Sequence, residues 1–509
     1  MKNKFNNKCQ GTFEDCELAI LRMAVDKAGD KLARRKLNSP EITQIISIVE
    51  GFLKRKNLIC YGGTAINNIL PVKDQFYNKD VEIPDYDFFS PNALNDAKEL
   101  ANIYYRNGFE EVEAKAGQHY GTYKVFVNFI PVADITLLSK EIYMNLKKES
   151  VRVAGILYAP PNFLRMAMYL ELSRPAGDTS RWEKVLKRIM LLNKHYPLKN
   201  SSCEKVDFQR NMENENNEEI IYNTVKDVFI NQGAIFFGGY AISLYSKYMP
   251  KKIGHKLNKI ADFDVLSKEP HVTAQIIKER LADVDITNVS IKKRDPVGEV
   301  VPLHYEVRVN NDTIAFIYQP IACHSYNVLN INGEKIRVAT IDTMLNFYLA
   351  FLYTNRPYFS EFKDRILCMS QFLFDVQQKN RLAQKGLLRR FSINCYGHQE
   401  SVEEIRSHKN DMYLKLKNDR NSPEFEEWFL NYKPSAISNG SDKKSTSRKS
   451  KNSLSKQNKQ TKQNKLTKPK TKKNKRAKKK KSSNAEKSRQ SRLLKLIYGK
   501  NRKTRKNKL

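Results

Sequence analysis

Two aspartates separated by a single residue occur twice in this chain in the same company. Asp85-Tyr86-Asp87 follows a glycine pair, Gly62-Gly63, by 23 residues, and Asp262-Phe263-Asp264 follows Gly238-Gly239 by 24. On a strand, residues two apart project to one face. Two carboxylates aimed together repel, and a divalent cation resolves the repulsion; Mg²⁺ suits because it takes carboxylates, waters and substrate phosphates together. A third acid on a neighbouring strand, Asp134, would let the first site hold two ions, Mg²⁺ or Mn²⁺. Such a pair activates an attacking hydroxyl and steadies the leaving oxygen of an in-line phosphoryl displacement. Gly62-Gly63 at the start of a helix would offer N–H donors to a triphosphate, with the Thr64 hydroxyl beside them. Each part alone is common: Asp283-Val284-Asp285 reads as solvated surface, and a Gly-Gly turn is more often simple geometry.

The elements around these residues are spelled out by periodicity. Ile42, Ile45, Ile46, Val49, Phe52 and Leu53 follow helical spacing, then Leu58-Ile59-Cys60-Tyr61 reads as a short strand leading into the glycine turn. Ile220, Ile221, Thr224, Val225, Val228 and Phe229, followed by Ala234-Ile235-Phe236-Phe237, repeat the arrangement. Downstream, Tyr123–Val127 and Tyr305–Val309 alternate as half-buried strands do. Ala133-Asp134-Ile135-Thr136 aligns with Ala315-Phe316-Ile317-Tyr318, Val151-Arg152-Val153-Ala154 with Ile336-Arg337-Val338-Ala339, and Arg174-Pro175 with Arg356-Pro357. The chain therefore reads as a duplicated unit. The second copy has Phe316 where the first has Asp134, and a phenylalanine ligates no metal. Copy one is expected to be catalytic and copy two a scaffold or RNA-binding face, unless Glu306 or Asp312 substitutes.

The ordered set of strand, Gly-Gly-Thr, helix, Asp-x-Asp and a later strand aspartate resembles the DNA polymerase β-like nucleotidyltransferase superfamily, over roughly residues 40–200 and again over 219–360. The arrangement is similar to the poly(A) polymerase catalytic subunits of poxviruses and giant viruses such as a mimivirus, in which an active nucleotidyltransferase domain is joined to a degenerate one. Pro84 is a departure, since relatives often carry Ser there. The resemblance implies a template-independent polynucleotide adenylyltransferase that adds AMP from ATP to the 3′ end of single-stranded RNA. Asp85 and Asp87 would bind both metals and Asp134 the one that lowers the hydroxyl's pKa, while Gly62, Gly63 and Thr64 would contact phosphates. Arg174, Arg181 and Lys184 are candidates for neutralising β- and γ-phosphates, each with an ordinary basic helix face as its alternative. Tyr158 and Trp182 are either stacking residues or core. Partners left open are a homodimer and a processivity subunit, and the implied location is the viral factory of the host cytoplasm, with the virion as a second one. The rivals are a tail of another base or another acceptor, and a non-catalytic RNA-binding factor.

Composition bounds the rest. The 509 residues carry a net +35, of which residues 434–509 hold 29 basic and two acidic side chains. That Lys-rich tail cannot bury enough apolar surface to order itself and reads as a disordered tether for nucleic-acid phosphates. The fold class expected is α+β, with two tandem nucleotidyltransferase-like domains, each a mixed sheet with helices, and a helical end to the body. The expected boundaries are 1–200 for the catalytic domain, 201–219 for a linker, 220–433 for the degenerate domain and 434–509 for the tail. No apolar run approaches the roughly 20 residues of a membrane span, and Met1-Lys2-Asn3-Lys4-Phe5-Asn6 is not read as a signal peptide. Seven cysteines without a Cys-x-x-Cys pair argue against disulfides or zinc and for an intracellular setting. A loop with Lys251, Lys252, Lys256 and Lys259 is either an RNA contact or solvated.

Overall fold

The computed structural model describes residues 11–37, 39–78, 83–198, 203, 206, 217–251, 262–360 and 363–435. The tail from 436, most of the linker and Lys252, Lys256 and Lys259 lie outside the described residues.

Two eight-stranded mixed sheets carry the chain, each built of seven strands from one copy and one edge strand from later in the chain. The first comprises β1 (Ile59–Cys60), β2 (Tyr86–Ser90), β3 (Val112–Ala116), β4 (Thr122–Val127), β5 (Ile130–Leu137), β6 (Val151–Val153) and β7 (Ile156–Tyr158). The second comprises β8 (Ile235–Phe236), β9 (Phe263–Leu266), β10 (Val289–Arg294), β11 (His304–Val309), β12 (Asp312–Tyr318), β13 (His324–Ile331) and β14 (Glu334–Ala339). Their orders are β3-β4-β5-β2-β1-β7-β6 and β10-β11-β12-β9-β8-β14-β13, which is one topology written twice. Even an irregularity repeats: the register shifts between Val125 and Phe126 in β4, and between Val307 and Arg308 in β11. The duplication expected from periodicity is thus present strand for strand. One correspondence moves: Ile336–Ala339 lies in β14, whose counterpart is β7, not the strand holding Val151-Arg152-Val153. Both strands of that hairpin alternate in the same way, so alternation alone does not tell them apart.

Side-chain caps open some of the helices and not others. α1 (Phe13–Leu37) precedes α2 (Pro40–Lys56), whose Ser39 side chain accepts from Ile42 N at 3.2 Å and whose last turn ends at Asn57 with φ +52°. Ile42, Ile45, Val49, Phe52 and Leu53 are its buried stripe. α3 (Gly62–Ile69) follows β1, α4 (Ala93–Arg106) follows β2, α5 (Lys140–Glu149) follows β5, and α6 (Pro161–Leu172) and α7 (Trp182–His195) follow β7. In copy two, α8 (Glu218–Asn231), α9 (Gly239–Tyr245), α10 (Pro270–Ala282) and α11 (Ile341–Phe351) take the places of α2, α3, α4 and α6, and α12 (Lys363–Lys379) comes next. Every residue of α11 is buried, and α6 packs on it. Asn346 Nδ2 donates to Met166 O at 3.2 Å and Ser325 N to Ser173 O at 2.8 Å across the junction, so the copies share one core.

After copy two the chain returns to the first sheet. α13 (Val402–Leu416) and α14 (Pro423–Phe429) lead to β16 (Asn431–Tyr432), which pairs with the outer edge of β3, while β15 (Cys395–Tyr396) edges the second sheet. The expectation of a chain without disulfides is not met. Cys203–Cys368 and Cys323–Cys395 are bonded, with Cα atoms 5.4 Å and 5.1 Å apart. Their separations of 165 and 72 residues leave no local spacing to read in the sequence. Among the described residues no helix is long and apolar enough to cross a membrane.

Candidate active site

β2 and β5 run parallel, and their register sets Asp87 directly beside Asp134. The same register in copy two sets Asp264 beside Phe316. Asp85 stands just ahead of β2, and the Thr64 hydroxyl donates to its carbonyl oxygen at 2.7 Å. Thr64 therefore ties the glycine turn to the acidic strand. Gly62 has φ +72°, and a Cβ there would lie 2.6 Å from Asp87 Oδ2. Only glycine lets the turn take this conformation against the carboxylate. Burial and the neighbouring acids raise the proton affinity of Asp87 and Asp85. Burial, then Asp85 and Asp134, push the Asp87 carboxyl up to about 7. Asp85 is raised by burial and by Asp134. Among the described residues no three acidic, histidine or cysteine groups already stand as a ligand shell for an ion. The Lys124 ammonium, on β4 directly across from Asp134, pairs with that carboxylate instead. Two carboxylates, Asp85 and Asp87, that burial and neighbouring charge hold back from ionising, with Asp134 in register beside them, form a donor set that suits divalent ions.

The cations expected near a triphosphate are placed differently from one another. Arg181 pairs with Glu171 at 3.0 Å, and its charge reaches Asp87, whose pKa it lowers. Arg174 is partly buried beside Glu171 and Arg181, and its charge helps depress buried His324 to about 3, after burial itself. Lys184 lies exposed on α7. The cation against the glycine turn is Arg188, which the sequence places in the same basic stretch as Arg174, Arg181 and Lys184 without singling it out. Its Nη1 lies 3.0 Å from where a Cβ on Gly63 would be, and its Nη2 donates to the Tyr77 hydroxyl at 2.7 Å. That hydroxyl itself occupies the space of a Gly63 Cβ. The loop carrying Tyr77 is pinned by Asn67, whose Oδ1 accepts from Phe76 N and Tyr77 N at 2.8 and 2.9 Å. The one signal available was spacing: Lys184 and Arg188 are four apart on one helix face. Tyr158 is core, 3% exposed, and Trp182 donates its indole N–H to Glu171 O at 3.0 Å.

The second copy keeps the form of the site and loses its contents. Phe316 is buried and stacks with Tyr358 at 5.6 Å, next to His304, which burial depresses to about 4. Glu306 takes the place of Lys124; Arg294 Nε donates to it at 2.9 Å and Thr313 at 2.6 Å, so its charge is satisfied there. Asp312 sits at the start of β12, at the hairpin, four residues from Phe316. The cavity lined by Gly239, Asp262 and Asp264 is 40 Å³. In copy one a cavity of 340 Å³ lies beside Asp85 and Thr64 and is lined also by Ile46, Glu50, Asn67 and Pro84, without Asp87 or Asp134. Asp283-Val284-Asp285 is exposed, as expected.

Comparisons with known proteins bear on the segment that carries these residues. Residues 47–178, which contain all three aspartates and the glycine turn, match the family described as Poly(A) polymerase catalytic subunit. The chain is 33% identical over 171 residues to a poly(A) polymerase catalytic subunit of African swine fever virus (strain Badajoz 1971 Vero-adapted), covering 32% of this chain and 36% of that one. It is 30% identical over 211 residues to the corresponding protein of Acanthamoeba polyphaga mimivirus, covering 39% of this chain and 35% of that one. These matches span little more than a third of the relatives' length. The crystal structure of the Megavirus polyadenylate synthase superimposes over 85% of this chain and 88% of that chain with a TM-score of 0.69 at 19% identity. Residues 47–178 are therefore similar in sequence to the family described as Poly(A) polymerase catalytic subunit, and the chain shares its fold with a viral polyadenylate synthase.

Proposed function

We propose that the first copy transfers AMP from ATP to the 3′-hydroxyl of single-stranded RNA without a template, releasing pyrophosphate. The observation that carries this reading is the in-register pair Asp87–Asp134 with Asp85 beside it, on the segment that matches the viral catalytic subunits. The 3′-oxygen bonds to the α-phosphorus as the bond from that phosphorus to the bridging β-oxygen breaks. Asp85 and Asp87 would hold both divalent ions, and Asp134 the one nearer the acceptor. Bound there, Mg²⁺ or Mn²⁺ would lower the hydroxyl's pKa and offset charge on the leaving pyrophosphate. Gly62 and Gly63 offer the amide edge of α3, and Arg188 with Tyr77 caps it, which suits the β- and γ-phosphates. Arg181 lies where its charge reaches Asp87. Thr64 positions Asp85 through its carbonyl. Copy two supports copy one through the shared core of α6 and α11 and does no chemistry.

A single addition requires no second subunit on this reading, and the location that goes with it is the viral factory. The test offers the full chain an RNA primer with each of the four nucleoside triphosphates singly, in Mg²⁺ and in Mn²⁺. We expect extension with ATP to dominate. Equal use of all four would sink the adenylyl assignment, and no incorporation of any would favour an RNA-binding role.

A further inference from the structure

The sheet order divides the site into two sides. On the β1 side of the aspartates the glycine turn is crowded by Tyr77 and Arg188. An in-line displacement needs its attacking oxygen and its leaving group on opposite sides of the phosphorus. If the pyrophosphate leaves toward Gly63 and Arg188, the acceptor must approach across β5, β4 and β3. That flank is a half-exposed sheet face. Lys124 pairs in register with Asp134, Lys115 with Lys124, and Glu113 with Phe126. Alternation turns Val125 and Val127 into the core, where both are fully buried, and leaves Phe126 half-buried on the face that carries Lys124. Lys115 Nζ lies 6.0 Å from the centre of the Phe126 ring and pairs with Glu113 at 2.5 Å. Its side chain is 45% exposed. Two residues along a strand are about 7 Å and neighbouring strands about 4.8 Å apart, so both groups lie within roughly 10 Å of Asp134. At the matching positions copy two has Arg308 for Phe126 and Ser290 for Glu113. The aromatic belongs to the copy with three aspartates.

We propose that this face is the acceptor subsite, with the 3′-terminal base of a single-stranded RNA stacked on Phe126 and its backbone beside Lys115. This rests on copy one being the catalytic copy. A half-buried aromatic ring takes any base by its π-face, and a neighbouring cation holds the strand without reading sequence. Lys115 and Glu113 balance each other until a phosphate arrives to share the ammonium.

The test uses the full chain and an oligoadenylate primer whose terminal base is 2-aminopurine, with two readouts. One is the quenching of that base on binding in EDTA, and the other is the KM for primer in the extension reaction. Phe126→Leu keeps apolar volume without a ring and should relieve the quenching and raise primer KM roughly 10- to 100-fold. Phe126→Tyr should restore both, and KM for ATP should not move. Lys115→Met should raise primer KM by a smaller factor. Phe129→Gly, at an exposed hairpin tip with φ +65°, is the control and should bind primer as the native chain does. Native quenching and native primer KM in an active Phe126→Leu protein would overturn the subsite and leave the adenylyl transfer standing. Phe126-dependent quenching in a protein that incorporates nothing would support the subsite and overturn the transfer.

Discussion

Replacing a buried catalytic carboxylate usually destabilises a protein, but Asp87→Asn should do the reverse when metal is absent. The Asp87 carboxyl is raised from 3.8 to about 7, first by burial and then by Asp85 and Asp134. Each tenfold change in proton affinity corresponds to about 1.4 kcal/mol, so holding Asp87 ionised in the folded chain costs roughly 2–4 kcal/mol once the repulsion shared among the three acids is allowed for. The sign follows from linkage. A carboxyl whose folded pKa is raised contributes stability below its unfolded pKa near 4, and that contribution is lost as pH rises through the folded value near 7. Asparagine has nothing to ionise and escapes the loss. In EDTA, therefore, Asp87→Asn should denature at higher urea or temperature than the native chain, by about 1–2 kcal/mol at pH 5 and by the full amount at pH 8. Excess Mn²⁺ should reverse the order, because ions that bind only the folded native site stabilise it in proportion to the logarithm of their concentration. A variant less stable than the native chain at pH 8 in EDTA, or a difference that does not grow between pH 5 and pH 8, would refute the clustering of charge described for the site.

Three further substitutions probe the parts around the aspartates. Gly62→Ala forces a Cβ to within 2.6 Å of Asp87 Oδ2 at φ +72°; the displaced carboxylate should cost about 100-fold in kcat, read by single-turnover AMP incorporation. Arg188→Ala should lower kcat/KM for ATP roughly 10- to 100-fold while primer KM stays put, with Arg188→Lys intermediate, since the guanidinium makes the charged contact over Gly63. Phe316→Asp should fail to build a second metal site. It buries a charge among His304, Tyr318 and Tyr358 and should cost about 3–5 kcal/mol, seen as a lower denaturation midpoint with no additional Mn²⁺ bound.

What the sequence made legible was whatever repeats. The glycine turn, the spacing to Asp85 and Asp262 and the exchange of Asp134 for Phe316 are local patterns written twice, and the register of both sheets keeps them aligned. Contacts that depend on how distant elements meet left little trace. Arg188 looks like any cation on α7 until the helix packs across the loop that Asn67 pins. Lys124 is the polar half of an alternating strand, and its importance comes from lying across from Asp134 on the neighbouring strand. The return of Asn431–Tyr432 to the edge of β3, and the two disulfides, join residues too far apart in the chain for any spacing to announce them. The Thr64 hydroxyl, expected beside the phosphates, donates to the Asp85 carbonyl, because a short helix beginning at Gly62 turns that side chain toward the acidic strand.

The central claim is that one of two matched sites does the chemistry. The most direct measurement compares extension of a single-stranded RNA primer by ATP in two double variants, Asp85→Ala/Asp87→Ala and Asp262→Ala/Asp264→Ala, with folding checked by circular dichroism. We expect the first to incorporate no AMP in Mg²⁺ or Mn²⁺ and the second to extend the primer at a rate near that of the native chain. Extension surviving in the first, or lost in a folded second, would place the reaction somewhere other than Asp85, Asp87 and Asp134.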